Sequence, residues 1–170
     1  MFRVGFGQDS HQFSKDENKK LILGGVEVRG YRGLESNSDG DPISHALCAA
    51  IEQALGRTNF SVYADEMCKK GIIDSLEYLR VAKNHIEEAG YALNNLGISV
   101  EGKVPRILPI EGEIKDSLAE VLSIEKNKIG INATTGEELT AFGRGEGIQV
   151  FAIVSLVLKS ELANKKNEKI

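Results

Sequence analysis

The run Val150–Leu158, VFAIVSLVL, constrains this chain more than any other segment. It is about half the length of a membrane span, so it reads as a buried strand. A strand of that kind needs partner strands beside it and further elements to cover it. FRVGFG alternates as a first strand, and LILGGVEV reads as two short strands around Gly24-Gly25. LGISVEG and IGINATT are further strand candidates.

Between these lie helical periods. Asp41-Pro42 pairs an N-cap with a first-turn proline, and Ile43, Leu47, Ala50, Ile51 and Ala54 follow at helical spacing up to Gly56. Asp74-Ser75 opens a second helix carried by Leu76, Leu79, Val81, Ala82 and Ile86, closed at Gly90. Glu111 to Leu122 is a third. RTNFSVYADEMCKKG has no clear period and reads as a mobile loop or short helical turns. Strands and helices alternate, with hairpin-like pieces among them. That predicts an α/β or α+β class with a mixed sheet.

At 170 residues the chain has room for one domain, expected over 1–159, with 160–170 a charged and disordered tail. A formal net charge of -4 argues against nucleic acid as a partner, because a phosphate backbone demands a basic face. It leaves room for a small phosphorylated ligand whose charge a metal could balance. No signal peptide or membrane segment is read. Cys48 and Cys68 lack the spacing of a zinc knuckle or disulfide framework, so both are expected as reduced thiols in a cytoplasmic protein.

Asp9 and His11 stand two apart at the end of the first strand, where extended chain points i and i+2 to one face. A carboxylate and an imidazole can share a divalent ion there, although a D-x-H triplet alone is more often an ordinary surface turn. His45, in the first turn of the well-marked helix, adds a third ligand and leaves a coordination position open for catalysis. Taken singly it reads as a capping or packing histidine. His85, between Lys83 and Glu87, reads as solvent-exposed. NSDGD lacks the ligand spacing of a calcium loop and is read as a polar loop near the metal or an ordinary turn. ATTGE after one strand and GRGEG before another could surround a diphosphate and a second hard cation, or simply form turns. Gly5-x-Gly7 is rejected as a dinucleotide fingerprint, because no helix opens after it and Asp9 would repel a pyrophosphate.

Together DSH, NSDGD with SHAL, KVPRILP, and ATTGEE with GRGEG resemble the 2-C-methyl-D-erythritol 2,4-cyclodiphosphate synthase family over residues 2 to 159. The resemblance implies an α+β sandwich of ferredoxin-like arrangement, with a mixed sheet, helices packed on one face, and a homotrimer. It implies a zinc ion on Asp9, His11 and His45, and Mg²⁺ or Mn²⁺ on Glu137 bridging the substrate phosphates. Thr134 and Thr135 would contact those phosphates, with Thr135 among the catalytic set. Gly102, Arg106, Ile107 and Leu108 would form the cytosine pocket. Ser38 and Asp39 would close over the methylerythritol phosphate. Arg144 would lie near the trimer axis, where family members can bind an isoprenoid diphosphate. The implied reaction is attack of a 2-phosphate on the β-phosphate of a cytidine diphosphate substrate, with release of CMP.

Three positions depart from the family pattern. Asn37 replaces a histidine, Glu138 replaces a lysine, and GRTNFSVYADEM is one residue shorter than usual, with Asp65 and Glu66 only loosely in place. Two rival readings remain open: a phosphodiesterase using a zinc-bound water, and a non-catalytic α/β module.

Overall fold

A computed structural model describes residues 1–161. Residues 162–170, most of the stretch expected as a tail, lie outside the described residues.

The apolar run forms the interior of β6 (Gly147–Leu158), which sits between β1 (Phe2–Gln12) and β4 (Tyr91–Glu101). Both pairings are antiparallel, and β5 (Ile129–Thr134) adds to β4 in parallel. The sheet order is therefore β1-β6-β4-β5. Because β4 and β5 run parallel, likeness to a ferredoxin-type domain holds for the layering rather than for every strand direction. The LILGGVEV segment forms a separate hairpin, β2 (Lys20–Leu23) with β3 (Val26–Arg32).

Strand parity sorts the two faces. Ile148, Val150, Ala152, Val154 and Leu156 of β6, with Leu96, Ile98 and Val100 of β4, are buried under the helices. These are α1 (Pro42–Ala54), α3 (Ser75–Glu88) and α4 (Glu111–Leu122). The opposite face carries Phe6, Phe151 and Ile153, with Phe6 and Phe151 stacked at 5.8 Å. Phe6 is 51 % and Ile153 50 % exposed. The run lacks polar alternation because this second face is apolar too.

The helix starts follow the capping chemistry. Asp41 caps α1, accepting from the backbone N–H groups of Ile43 and Ser44, and Pro42 fills the first turn. The same carboxylate accepts from Gly24 and Gly25 N–H at 2.8 Å and from the Ser44 hydroxyl at 2.6 Å, tying the β2–β3 turn to the helix. Asp74 caps α3. The aperiodic 57–71 region is mainly a helix, α2 (Ser61–Lys69), framed by short loops. Only Ala64 of α2 is buried. A helix with so narrow a buried stripe leaves no clear period in the sequence.

Gly5 and Gly7 have a packing role. A Cβ on Gly5 would lie 1.9 Å from the Ala50 carbonyl oxygen, and one on Gly7 2.1 Å from that of Ala46. The glycines let the α1 backbone lie directly on β1. Among the described residues no helix is long and apolar enough to cross a membrane.

Candidate active site

β1 runs to Gln12 and carries the D-x-H pair at its end. Asp9 and His11 therefore keep the parity of Gly5 and Gly7 and face α1. The close glycine contact brings the first turn of α1 against them. Ligating atoms of Asp9, His11 and His45 all lie within 4.8 Å of one another. Asp9 Oδ2 is 2.9 Å from His11 Nε2 and 3.1 Å from His45 Nδ1.

The geometry fits a shared cation. His11 Nε2 is buried and has no hydrogen-bond partner, despite its nearness to Asp9. At 2.9 Å from Asp9 Oδ2 the nitrogen is close to the carboxylate yet out of line for a hydrogen bond to it. One carboxylate oxygen and two imidazole nitrogens form a donor set suited to zinc, with a coordination position left for substrate.

Burial opposes ionisation of Asp9, but the adjoining His11 and His45 rings prevail and hold its carboxyl at about 2. Burial likewise works against a charged His11. The contact with Asp9, aided by the Glu35 backbone, outweighs it and raises the imidazole above its usual range.

Beside the cluster opens a cavity of about 320 Å³, lined by His11, Asn37, Ser38, His45, Phe60, Asp65 and Tyr78 among others. The His45 ring lies between Phe60 at 5.4 Å and Tyr78 at 6.2 Å. Asn37 and Asp65 thus line the same cavity as two of the metal-site histidines. Ser38 Oγ reaches to 3.4 Å from His45 Nε2. Asp39 is placed differently. Its Oδ2 accepts from Ser75 N–H at 3.0 Å, and its Oδ1 accepts from the Ser75 hydroxyl and from Asp41 N–H. The carboxylate anchors the start of α3.

Ser75 is the residue that sequence reading passed over. As part of an Asp-Ser helix start it looked accounted for, yet its Oγ lies 2.8 Å from His45 Nε2. Phe60 and Tyr78 were also missed, because packing against a histidine leaves no local pattern. His85 is not solvent-exposed as expected. Its Nδ1 lies 2.7 Å from Oε1 of buried Glu52, and Arg57 reaches its other ring nitrogen. Lys83 and Glu87 stand two residues away, on other faces of the helix, so they say nothing about where His85 points.

The remaining expected residues form a second group. Thr134 ends β5, and the following turn places the Thr135 hydroxyl 3.3 Å from Glu137 Oε1. Gly102 N–H bonds the Thr134 carbonyl, joining the two segments. Ile107 is buried as an anchor, while Arg106 and Leu108 are exposed. Arg144 is exposed and pairs with Glu146 at 2.9 Å. Glu138 is met by Lys103 at 2.8 Å, which lowers its carboxyl.

The sheet register separates the groups. Ser10 pairs with Gln149, Gln149 with Glu101, and Glu101 with Thr134. Three strand spacings put Thr134 about 14 Å from β1. None of the second group lines the cavity beside His45.

The profile of the YgbB family matches residues 2–157. A protein of Chlamydia trachomatis serovar L2 named 2-C-methyl-D-erythritol 2,4-cyclodiphosphate synthase is 42% identical over 159 residues, covering 92% of this chain and 89% of that one. The structure of IspF from Plasmodium falciparum in complex with CDP superposes with a TM-score of 0.82 at 32% identity, covering 93% and 97% of the two chains. The bifunctional IspDF of Campylobacter jejuni gives 0.85 at 33% identity, with this chain spanning 42% of its length.

Proposed function

This chain belongs to the YgbB family, and from that premise we propose that it closes the ring of 2-C-methyl-D-erythritol 2,4-cyclodiphosphate. The substrate is 4-diphosphocytidyl-2-C-methyl-D-erythritol 2-phosphate. An oxygen of the 2-phosphate attacks the β-phosphorus, the bond from that phosphorus to the CMP oxygen breaks, and CMP leaves with the electron pair. The observation that carries this reading is the convergence of Asp9, His11 and His45, with His11 Nε2 buried and unpartnered, beside an open cavity.

Asp9, His11 and His45 would hold zinc, Glu137 would hold Mg²⁺ or Mn²⁺ against the diphosphate, and Thr134 and Thr135 would contact its phosphates. Bound cations would offset phosphate repulsion and draw charge from the phosphorus under attack. The protein's own part is alignment, since attacking and leaving groups belong to one molecule and no side-chain nucleophile is needed. Ser38 and Asn37 present hydrogen-bonding groups to the phosphate end from the cavity wall. Phe60 and Tyr78 keep bulk water from the His45 ring. Gly102, Arg106, Ile107 and Leu108 receive the cytosine, Ile107 by anchoring the segment and Arg106 and Leu108 from its surface.

The two groups of residues stand three strands apart, so the reading is completed by a neighbouring copy. A homotrimer packed through the apolar face of Phe6, Phe151 and Ile153 would bring the metal cluster of one copy to the cytosine segment of the next. Arg144 is then the residue to meet an isoprenoid diphosphate at the trimer axis. Single-domain organisation over 1–159 and a cytoplasmic location, where Cys48 and Cys68 stay reduced, belong to the same reading.

Incubation of the purified chain with the cytidyl substrate, Zn²⁺ and Mg²⁺ tests it. CMP and a cyclic diphosphate in equal amounts are expected. Linear phosphates would instead mark a phosphodiesterase, and an unconsumed substrate would mark a non-catalytic module.

A further inference from the structure

The metal-site reading leaves open how His45 is made ready to use Nδ1. A histidine ligand needs a lone pair on one nitrogen, and the partner of the other nitrogen selects that tautomer. His45 Nε2 lies 2.8 Å from Ser75 Oγ and 3.4 Å from Ser38 Oγ, so Ser75 is its main partner.

The direction of that bond follows from counting hydrogens. A serine hydroxyl has one to give. The Ser75 hydroxyl gives it to Asp39 Oδ1, and a carboxylate can only accept. The Asp39 carboxylate also accepts from two backbone groups, Ser75 N–H and Asp41 N–H. Ser75 Oγ is therefore left as an acceptor toward the ring, and with a cation between Nδ1 and Asp9 the one ring proton sits on Nε2.

We propose that Asp39 and Ser75 are positioning residues for the metal site, a relay that fixes the His45 tautomer and presents its Nδ1 lone pair beside Asp9 and His11. The proposal rests on the metal-site reading above and adds a role for Asp39 that does not require it to touch substrate. The geometry supports a rigid relay. Ser75 is fully buried in the first turn of α3, and Asp39 N–H is bonded to the Ile73 carbonyl at 2.9 Å. The start of α3 and the loop before α1 are thus locked together behind the ring. Removing an outer partner of a ligating histidine typically costs 10- to 100-fold in metal affinity.

The two partners predict different failures. Ser75→Ala removes the acceptor and leaves Nε2–H buried without a partner. Asp39→Asn keeps the size but swaps an oxygen for NH₂. Turned to accept from Ser75 N–H, the amide presents that NH₂ to Ser75 Oγ, and Asp41 N–H loses its acceptor. Ser75 then sends its hydrogen to Nε2, which selects the tautomer that cannot bind metal through Nδ1. Turned the other way, NH₂ faces Ser75 N–H and the anchor of Ser75 is broken.

The test measures Zn²⁺ affinity of the full chain by competition with a chromophoric chelator, with His45→Ala as the reference for a lost site. Circular dichroism confirms the fold of each variant. The Co²⁺-loaded protein gives the second readout, solvent exchange of the hyperfine-shifted N–H of the ligating His45. A tenfold or greater loss of affinity in Ser75→Ala and Asp39→Asn, with faster N–H exchange in Ser75→Ala, is the expected result. If Ser75→Ala does not fold, Asp39→Asn decides by the same threshold. A smaller loss in a folded variant, or unchanged exchange, overturns the relay while the metal reading stands. Equal Zn²⁺ binding by the unaltered chain and His45→Ala overturns the metal reading, and the relay with it.

Discussion

Gly7→Ala tests whether the metal cluster depends on the closeness of α1 to β1. The new Cβ would stand 2.1 Å from the Ala46 carbonyl oxygen and 2.5 Å from the Ala50 nitrogen. Both are backbone atoms of a helix and cannot turn aside. Ordinary contact begins at 3.4 Å, so α1 must retreat by more than an ångström. His45 precedes Ala46 and would move with it. Metal–ligand distances tolerate only about 0.2 Å, so this displacement is enough to unseat one of three ligands. Overpacking of a rigid core costs about 1–3 kcal/mol, and a clash with helix backbone belongs at the upper end. For a chain of this size about 3 kcal/mol lowers the melting temperature by roughly 6–12 °C. Thermal unfolding of the metal-free protein and Zn²⁺ competition titration would be run together, with Gly30→Ala as control. Gly30 has φ +85° and nothing within 4 Å of an added Cβ, so its substitution strains the backbone by about 1–2 kcal/mol without touching the cluster. Gly7→Ala is expected to lower both stability and Zn²⁺ affinity, and Gly30→Ala stability alone. A Gly7→Ala protein with unaltered Zn²⁺ affinity would refute the reasoning.

Asp41→Ala removes the cap of α1 and abandons donors from Gly24, Gly25, Ile43 and Ser44; a loss of about 3–5 kcal/mol is expected in urea unfolding. For Asp9, the folded pKa of about 2 lies below its ordinary 3.8, so its stabilising contribution is present above pH 4 and lost as pH falls toward 2. The stability gap between the metal-free protein and Asp9→Asn should accordingly be widest near pH 5, shrink below pH 4, and narrow again above pH 6.5 as His11, raised by the same contact, gives up its proton, as pH titration by circular dichroism would show. Ile153→Asp puts a charge in the apolar sheet face. Sedimentation should show a smaller assembly than the unaltered chain, and activity should fall with it if, as in the proposed trimer, each site draws on two copies.

Much of the fold was legible because local chemistry and tertiary role agree. The Asp41-Pro42 start of α1 and the Asp74 cap of α3 follow from capping chemistry, and the structure keeps both, along with the expected bounds of α4. The strand character of VFAIVSLVL was equally plain. Helix α2 was not, since Ala64 is its one buried residue and no stripe marks it. His85 was misjudged for a related reason: its partner Glu52 comes from α1, 33 residues away in sequence.

The candidate site divides in the same manner. D-x-H spacing, with the parity of an extended chain, is enough to put Asp9 and His11 on one face, and the marked helix start puts His45 in a first turn. Residue order alone could not say that the two would meet. That was decided by Gly5 and Gly7, whose missing side chains let helix backbone rest on strand backbone. Nor could it disclose Ser75 behind the His45 ring, or Asp39 turned toward α3, because those bonds join loops that only the packing of α3 on α1 brings together. Local spacing determines which side chains share a face; what stands opposite that face is settled by long-range packing.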